Sequence, residues 1–256
     1  MHFRAGPRQL GLAARLASYM DTSEKDFETS VFEHLCQNGY VPRDREKYDR
    51  QMCLDAESLF SFLYTTQAKT WEKLKTQHGE QVKERFLRRL TSEIESRGTL
   101  DVLRKGVTDL GCKFELAYFR PESALNEEHN RLYEANLLGV MRQVRYSERN
   151  ENSLDLVLFV NGLPVITAEL KTPLKGQTVQ DAVAQYRLDR DPKEPLFRFG
   201  RCLAHFALDT DLAFMTTQLR GGKTYFLPFN LGFKKGSGNP PNPKGFRTYY
   251  VWEQVW

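Results

Sequence analysis

Two charged side chains stand one residue apart where an apolar stretch ends. In ITAELKTP (166–173), Glu169 and Lys171 follow the run LPVIT. On a β-strand, alternate side chains point to the same face, so this carboxylate and this ammonium group would be neighbours. On a helix, residues two apart would not face each other. The secondary structure therefore decides whether the two groups can act together.

A third charged residue comes from the preceding apolar run. SLDLVLFVNGLPVITAELK predicts a β-hairpin, because Asn-Gly between two apolar runs is the strongest short-range hairpin signal. Pairing about Asn161-Gly162 puts Asp155 opposite either Ala168 or Glu169. A shift of one residue would turn the side chain to the other face. The sequence leaves this register open by one position.

Chemistry separates two interpretations of the charged cluster. Glu-x-Lys alone is more typical of a solvated strand face, but Asp155 is harder to explain in this way because Asp is depleted in strands. Two carboxylates facing one space form a site for a hard cation such as Mg²⁺, which can acidify a bound water and stabilise charge on a phosphate oxygen. We predict that Asp155 and Glu169 bind Mg²⁺. Lys171 would orient the water, stabilise developing charge or act as a base.

The elements that position these residues follow from hydrophobic periodicity. SEKDFETSVFEHLCQNGY predicts a helix with Ser23 as N-cap, an apolar face of Phe27, Val31 and Leu35, and an end at Asn38-Gly39. Further helices are predicted over 49–64, in one or two segments over 72–97, within SALNEEHNRLYEANL and over 178–189. Further strands are predicted at CKFELAYF (112–119), VMRQVRYS (140–147), RCLAHFALD and DLAFMTT.

The hydrophobic repeat changes from helical spacing in the first half of the chain to strand alternation in the second, and this change predicts how the domain is organised. Residues 1–22 are basic without the apolar core of a signal peptide and are interpreted as a leader or flexible arm. One α/β domain is predicted over 23–245, helical over about 23–108 and with a mixed central sheet flanked by helices over about 110–220. Its Gly/Pro-rich tail, FNLGFKKGSGNPPNPKG, predicts irregular structure. Residues 246–256 form a C-terminal segment.

Composition excludes several classes of protein. The 256 residues carry 37 Lys+Arg against 33 Asp+Glu, a net charge of +4 that tolerates a polyanionic partner. No apolar run approaches the roughly 20 residues of a membrane span, so no membrane association is predicted. The four cysteines are far apart, which favours reduced thiols in a cytoplasmic protein over a disulfide framework or zinc site.

The spacing of the charged residues has a counterpart in a known family. Asp155, followed fourteen residues later by Glu169-Leu170-Lys171, resembles the PD-(D/E)xK nuclease signature, with Leu154 where the name has Pro. Over about 23–245 the chain resembles the N-terminal region of the restriction (R) subunit of type I restriction–modification enzymes. The resemblance is carried by KFELAYFRPESALNEE, NSLDLVLFVNGLPVITAELKTPLKGQTVQDAVAQY, RDPKEPLF, HFALDTDLAFMTT and FLPFN.

That resemblance implies a function and partners. It implies a metal-dependent type I site-specific deoxyribonuclease of restriction-endonuclease-like fold that cleaves double-stranded DNA. Asp155 and Glu169 would bind Mg²⁺, for which Mn²⁺ substitutes, and Lys171 would serve the attacking water. Methylation (M) and specificity (S) subunits would be its partners. ATP would act only on motor domains of a full-length subunit, towards which the segment 246–256 would lead.

The resemblance also extends to the first helix. Glu28, within KDFETSVFEHL, matches an upstream acidic position that often approaches the metal in related nucleases. Glu24 and Glu33 are nearby alternatives for the same position.

A QxxxY motif is expected on the helix after the active-site strand. Four residues after Gln185 stands Asp189, so the chain departs from the motif. Gln185 is the first candidate and the adjacent Tyr186 the second, and the alternative is that both are surface residues of an amphipathic helix. Arg187 and Arg190 are expected to meet the DNA backbone near the site.

Rival functions remain open from the sequence. The domain could be a catalytically weak DNA-binding or docking module for the motor and methylase subunits. A repair nuclease or junction resolvase would share the chemistry but leaves RDPKEPLF and FLPFN unexplained. Gly221-Gly222-Lys223-Thr224 is not a phosphate-binding loop, because GxxxxGK[ST] would need Gly at Thr217. It predicts a basic turn between strands.

Overall fold

The structure, a computed structural model, describes residues 24–122, 125–173, 176–243 and 245–256. Its strands are β1 (Val41–Pro42), β2 (Tyr48–Asp49), β3 (Leu54–Asp55), β4 (Val107–Asp109), β5 (Cys112–Phe114), β6 (Leu138–Arg145), β7 (Ser153–Val160), β8 (Leu163–Leu170), β9 (Ala204–Leu208), β10 (Ala213–Thr216) and β11 (Leu227–Pro228). Its α-helices are α1 (Glu24–Gln37), α2 (Ala56–His78), α3 (Val82–Arg97), α4 (Thr99–Lys105), α5 (Glu127–Glu134) and α6 (Val179–Leu188).

A mixed sheet lies at the centre and confirms the predicted α/β class. Seven strands are arranged in the order β1-β6-β7-β8-β9-β10-β11. The pairs β1–β6 and β8–β9 are parallel, and the other neighbours are antiparallel. One hydrophobic cluster joins α1, α2 and α3 to the sheet, and a second contains buried residues of α6. The predicted helical part and the sheet thus share a core.

Helix α1 has the predicted face and the predicted end. Phe27, Val31 and Leu35 are buried, and the helix stops at Gln37 before Gly39, whose φ is +103°. A positive φ is a conformation that glycine adopts without steric cost. The proposed N-cap Ser23 and the arm 1–22 lie outside the described residues.

The helix predicted over 49–64 was wrong in its first half. The chain there forms β2 and β3, and α2 begins only at Ala56. Asp55 sets this start, since its Oδ1 accepts a hydrogen bond from the Ser58 backbone N–H at 3.1 Å and Arg43 Nε donates to its Oδ2 at 2.8 Å. A capping carboxylate fixes a helix start in this way.

The strand predicted over 112–119 was too long. It ends at Phe114 because side-chain amides take the backbone groups that a strand would offer. Gln67 bonds both the N–H and the carbonyl of Glu115, and Asn136 does the same for Tyr118. These long-range contacts satisfy the backbone without a partner strand.

The hairpin of β7 and β8 confirms the prediction from Asn161-Gly162. A Cβ on Gly162, whose φ is +84°, would lie 2.3 Å from the carbonyl oxygen of Asp55, so only glycine fits the turn. The Asn161 side chain is buried and bonds the backbone of Leu137 and of Leu116. These hydrogen bonds hold the turn against the chain just before β6 and the chain just after β5.

The C-terminal segment packs back onto the domain. After β11 the chain is largely irregular, as predicted, and it ends in one turn of π-helix, Val251–Val255. The Phe27 ring lies 4.7 Å from that of Phe246 and 5.8 Å from that of Trp252. Within the described ranges, no helix is long and apolar enough to cross a membrane.

Candidate active site

The hairpin brings Asp155 and Glu169 together at its open end. Leu156 pairs with Ala168, so the next pair outward is Asp155 with Glu169. A bulge between Leu158 and Phe159 shifts the pairing by one residue, and this shift decides the register that the sequence leaves open. The Leu170 N–H donates to Asp155 Oδ2 at 2.7 Å. Both carboxylates therefore lie on one face at one end of the sheet.

Glu169 is the buried member of the pair. Its side chain is fully buried, Arg190 Nε donates to its Oε1 at 2.8 Å, and Arg190 Nη2 forms an ion pair with the same oxygen at 2.6 Å. Oε2 has no hydrogen-bond partner in the described part of the chain. Burial, and next the charge of Asp155, raise the pKa of Glu169 well above its usual value, against the opposing charges of Arg190 and Lys171. Arg190 and Lys171 therefore compensate the negative charge of ionised Glu169 only in part, and a further cation nearby would stabilise it.

Lys171 follows directly after β8 and is buried. Its backbone N–H donates to the carbonyl oxygen of Leu208 at 2.8 Å, so the extended chain continues along β9 at this point. Strand alternation then gives Lys171 the same face as Glu169. The structure brings together the three residues of the predicted motif.

Glu28 reaches this end of the sheet from α1. It is buried, with Oε1 bonded by the Arg142 guanidinium and Oε2 accepting from Gln143 Nε2 at 2.8 Å. The same Gln143 nitrogen donates to Asp155 Oδ1 at 3.1 Å. Of the alternatives, Glu33 is exposed and the side chain of Glu24 lies outside the described residues. Among the described side chains of α1, Glu28 is thus the acidic residue that adjoins the site.

Tyr186, rather than Gln185, joins helix α6 to the active-site strand. The Tyr186 hydroxyl is buried and lies 2.8 Å from Thr167 Oγ1, which in turn lies 2.7 Å from His205 Nδ1. Gln185 is half-buried, and its Oε1 has no hydrogen-bond partner in the described part of the chain. The alternative that both are surface residues is therefore wrong for Tyr186, whose ring belongs to the core.

Arg190 lies away from the surface at which DNA contact was expected, and DNA contact by Arg187 stays a prediction. Arg190 is buried and bonds Glu169 and, at 2.8 Å, the carbonyl oxygen of Ser153, because a buried carboxylate needs a cation beside it. It does not point at solvent. Arg187 is half-buried, and its Nε donates to the Thr224 carbonyl oxygen at 3.0 Å, which ties α6 to the basic turn at 221–224.

A family comparison agrees with this geometry. The model for the type I restriction enzyme R protein N terminus matches residues 21–224. The chain belongs to this family. The matched range includes the hairpin, α1 and α6, so the site residues described above belong to the family's R-protein domain. The mixed sheet flanked by helices is consistent with a restriction-endonuclease-like fold. No curated protein matched the chain.

The capacity of this R-protein domain for a metal rests on two carboxylates. The described residues contain no group of three His, Cys, Asp or Glu side chains arranged to hold a metal ion. Mg²⁺ is often held by one or two carboxylates and several waters, which Asp155 and Glu169 can provide. The unpartnered Oε2 of buried Glu169 fits such a cation. Glu28 fits less well, since the Arg142 guanidinium already pairs with its charge and neither of its oxygens is unpartnered as Glu169 Oε2 is.

Sequence reasoning missed Gln143 and Arg142. Both contact Glu28, and Gln143 also contacts Asp155. The sequence did carry a signal, because these two polar residues are consecutive in a strand whose side chains should alternate. Gln143 has a φ of +51°, which breaks the alternation at this point.

Proposed function

We propose that this domain hydrolyses phosphodiester bonds of double-stranded DNA in a Mg²⁺-dependent endonuclease reaction. One observation carries the proposal: the buried Glu169, with an unpartnered Oε2, lies beside Asp155 and on the same strand face as Lys171. Membership of the type I restriction enzyme R family supports a restriction-enzyme nuclease module. The arrangement offers what phosphodiester hydrolysis requires, namely carboxylates for a cation and an ammonium group for a water or phosphate oxygen.

Each residue has a role that follows from its contacts. Asp155 and Glu169 would hold the ion, since their oxygens converge at the end of the hairpin. Bound Mg²⁺, or Mn²⁺ in its place, supplies stabilisation of charge on a phosphate oxygen and a lowered pKa of a coordinated water. The Lys171 ammonium group can donate a hydrogen bond to the attacking water or to the phosphate. Backbone pairing with Leu208 fixes the chain from which it extends.

Arg190 and Tyr186 are supporting residues in this proposal. Arg190 binds Oε1 of Glu169 and so leaves Oε2 for the cation. The hydroxyl of Tyr186 bonds Thr167, which precedes Glu169 by two residues on the same face of β8. Both side chains are buried. They keep the Glu169 side chain in one orientation before the ion binds, which is how outer-shell partners raise metal affinity.

A second candidate, a docking module without catalysis, is favoured by one observation. Arg190 already gives Glu169 a cationic partner. On that hypothesis the Arg190–Glu169 pair is structural and no divalent ion binds.

Calorimetry distinguishes the two candidates. The purified protein is titrated with MnCl₂ and MgCl₂, and cleavage of supercoiled plasmid is followed in the same buffers. We expect saturable binding that Asp155→Asn and Glu169→Gln abolish, together with any cleavage. The control is Glu151→Gln, which removes an exposed carboxylate near the same strand end. Absence of binding in the wild type, or unchanged binding in both site variants, would reject the nuclease assignment.

The proposal extends to the complete enzyme. Within a full-length R subunit in the cytoplasm, cleavage would be coupled to ATP-driven translocation and directed by the M and S subunits. Asp155→Asn in the assembled complex should then abolish cleavage while ATP hydrolysis continues at the wild-type rate. Loss of both activities together would contradict this division of labour.

A further inference from the structure

Gln143 stands between two carboxylates that come from different parts of the chain. Its Nε2 donates to Glu28 Oε2 at 2.8 Å and to Asp155 Oδ1 at 3.1 Å. An amide nitrogen has two hydrogens, so both of its donors are used here. The side chain therefore joins α1 to the strand that carries Asp155.

The orientation of the Gln143 amide is fixed by a third contact. Ser153 Oγ donates to Gln143 Oε1 at 3.1 Å, which leaves the nitrogen facing the carboxylates. The residue also has a φ of +51° inside β6. This conformation is uncommon for residues other than glycine, and such positions concentrate at functional sites.

Glu28 differs from Asp155 because a cation, the Arg142 guanidinium, already pairs with its charge. Its Oε1 is bonded by Arg142 and its Oε2 by Gln143, and Arg142 Nη2 also donates to Thr29 Oγ1 at 3.1 Å. A carboxylate held in this way can still act on the site, because it fixes the amide that holds Asp155.

We propose that Gln143 is a positioning residue of the metal site, and that Glu28 acts through Gln143 rather than as a metal ligand. The amide restrains Asp155 Oδ1, while the Leu170 N–H restrains Oδ2. Both oxygens of Asp155 are thus held in one orientation before the ion binds. Each oxygen keeps a second lone pair that can coordinate the ion. This inference rests on the metal binding in the proposed function.

The test is the affinity for Mn²⁺, measured by calorimetry on the purified protein. Gln143→Met keeps the length of the side chain and removes the amide. We expect about tenfold weaker binding, the size of effect that outer-shell substitutions cause in metal sites. Cleavage at limiting Mn²⁺ should fall by the same factor and recover at saturating Mn²⁺.

Gln67→Met is the matched control. Gln67 is also a half-buried glutamine, and its amide makes two hydrogen bonds to the backbone of Glu115, away from the hairpin end. Both substitutions should lower the melting temperature of the metal-free protein. Only Gln143→Met should change the dissociation constant, because a purely structural role would affect stability in both and affinity in neither.

A double-mutant cycle isolates the role of Glu28. Glu28→Gln should weaken Mn²⁺ binding in the wild-type background and have no further effect in Gln143→Met, since effects that pass through one shared residue are not additive. If Glu28→Gln does not fold, Arg142→Met replaces it in the cycle, because it removes the other anchor of the same carboxylate.

The outcomes separate this inference from the proposed function. Tenfold weaker binding in Gln143→Met with a non-additive cycle supports it. Wild-type binding that is unchanged in Gln143→Met overturns the inference alone, and an additive cycle overturns the indirect role of Glu28. A wild-type protein that binds no Mn²⁺ overturns both the inference and the proposed function.

Discussion

Arg190 and Glu169 form the most deeply buried ion pair near the hairpin end. Their side chains are 3% and 0% exposed, so water contributes almost nothing to the solvation of either charge. Removal of one partner from such a pair leaves the other charge buried without compensation. Loss of one partner should therefore cost more here than in an exposed salt bridge of the same length.

Arg190→Met should destabilise the metal-free protein by about 3–5 kcal/mol, the usual cost of breaking a buried pair. Arg131→Met is the control, since Arg131 forms an exposed pair with Glu128 whose loss should change stability little. Urea unfolding in EDTA measures both. Added Mn²⁺ should restore part of the lost stability in Arg190→Met, because a ligand of the folded state stabilises it. Equal losses in the two variants would contradict the expectation.

His205 gives a pH dependence that can be worked out in sign. Burial lowers its pKa from about 6.5 to about 4, so the folded protein keeps the ring neutral. The unfolded chain takes up a proton below pH 6.5, and stability therefore falls as the pH drops from 6.5 to 4.

His205→Gln should remove about 3 kcal/mol of this fall, as follows from the size of the pKa shift. Urea unfolding at several pH values between 7 and 4 provides the measurement. His129→Gln, which replaces an exposed histidine, should keep the wild-type slope. If the His205→Gln profile ran parallel to that of the wild type, the folded protein would take up the His205 proton over the same pH range as the unfolded chain, which would contradict the lowered pKa.

At the scale of elements, the turn of the hairpin is held by contact as well as by backbone conformation. Gly162 and Gly39 both have positive φ, but a Cβ at Gly162 would meet Asp55 O at 2.3 Å, while nothing lies within 4 Å at Gly39. Substitution of the two glycines by alanine therefore distinguishes the cost of backbone strain alone, at Gly39, from strain combined with a steric clash, at Gly162.

Gly39→Ala should cost about 1–2 kcal/mol, the penalty of left-handed backbone for a residue with a Cβ. Gly162→Ala should cost clearly more, since the turn must also move away from the start of α2. Chemical denaturation of both variants tests this difference. Gly162→Ala should also weaken Mn²⁺ binding, because the register at Asp155 depends on the hairpin. Similar stabilities of the two variants would show that the turn can shift freely.

The sequence predicted the strands and helices of the site more accurately than the strand register and the side-chain directions that bring its residues together. Asn161-Gly162 sufficed for the hairpin because turn chemistry is local. The bulge between Leu158 and Phe159, which sets Asp155 opposite Glu169, has no such local signature. The inward direction of Arg190 depends on Glu169, twenty-one residues away, and the early end of β5 depends on side chains of Gln67 and Asn136. These tertiary contacts override local propensity.

At the scale of the whole molecule, the core extends beyond the range that the family model matches. The match ends at residue 224, whereas Phe246 and Trp252 contact Phe27 of α1, and the Trp256 ring lies 5.4 Å from that of Phe206 in β9. Tyr40 also donates to the carbonyl oxygen of Trp256 at 3.2 Å. The segment 246–256 thus holds α1 against the sheet. Glu28 follows Phe27 directly, so this packing also supports the acidic end of the site.

Trp252→Ala should lower the free energy of unfolding by about 3–5 kcal/mol, the range for loss of a large buried aromatic side chain. Val255→Ala is the control, since Val255 is half exposed and should change stability little. Hydrogen exchange should report where the loss acts. Amides of α1 should exchange faster in Trp252→Ala, while those of β7 and β8 keep more protection because they lie inside the sheet. Uniformly faster exchange in all three elements would mean that the segment stabilises the domain globally and does not act through α1.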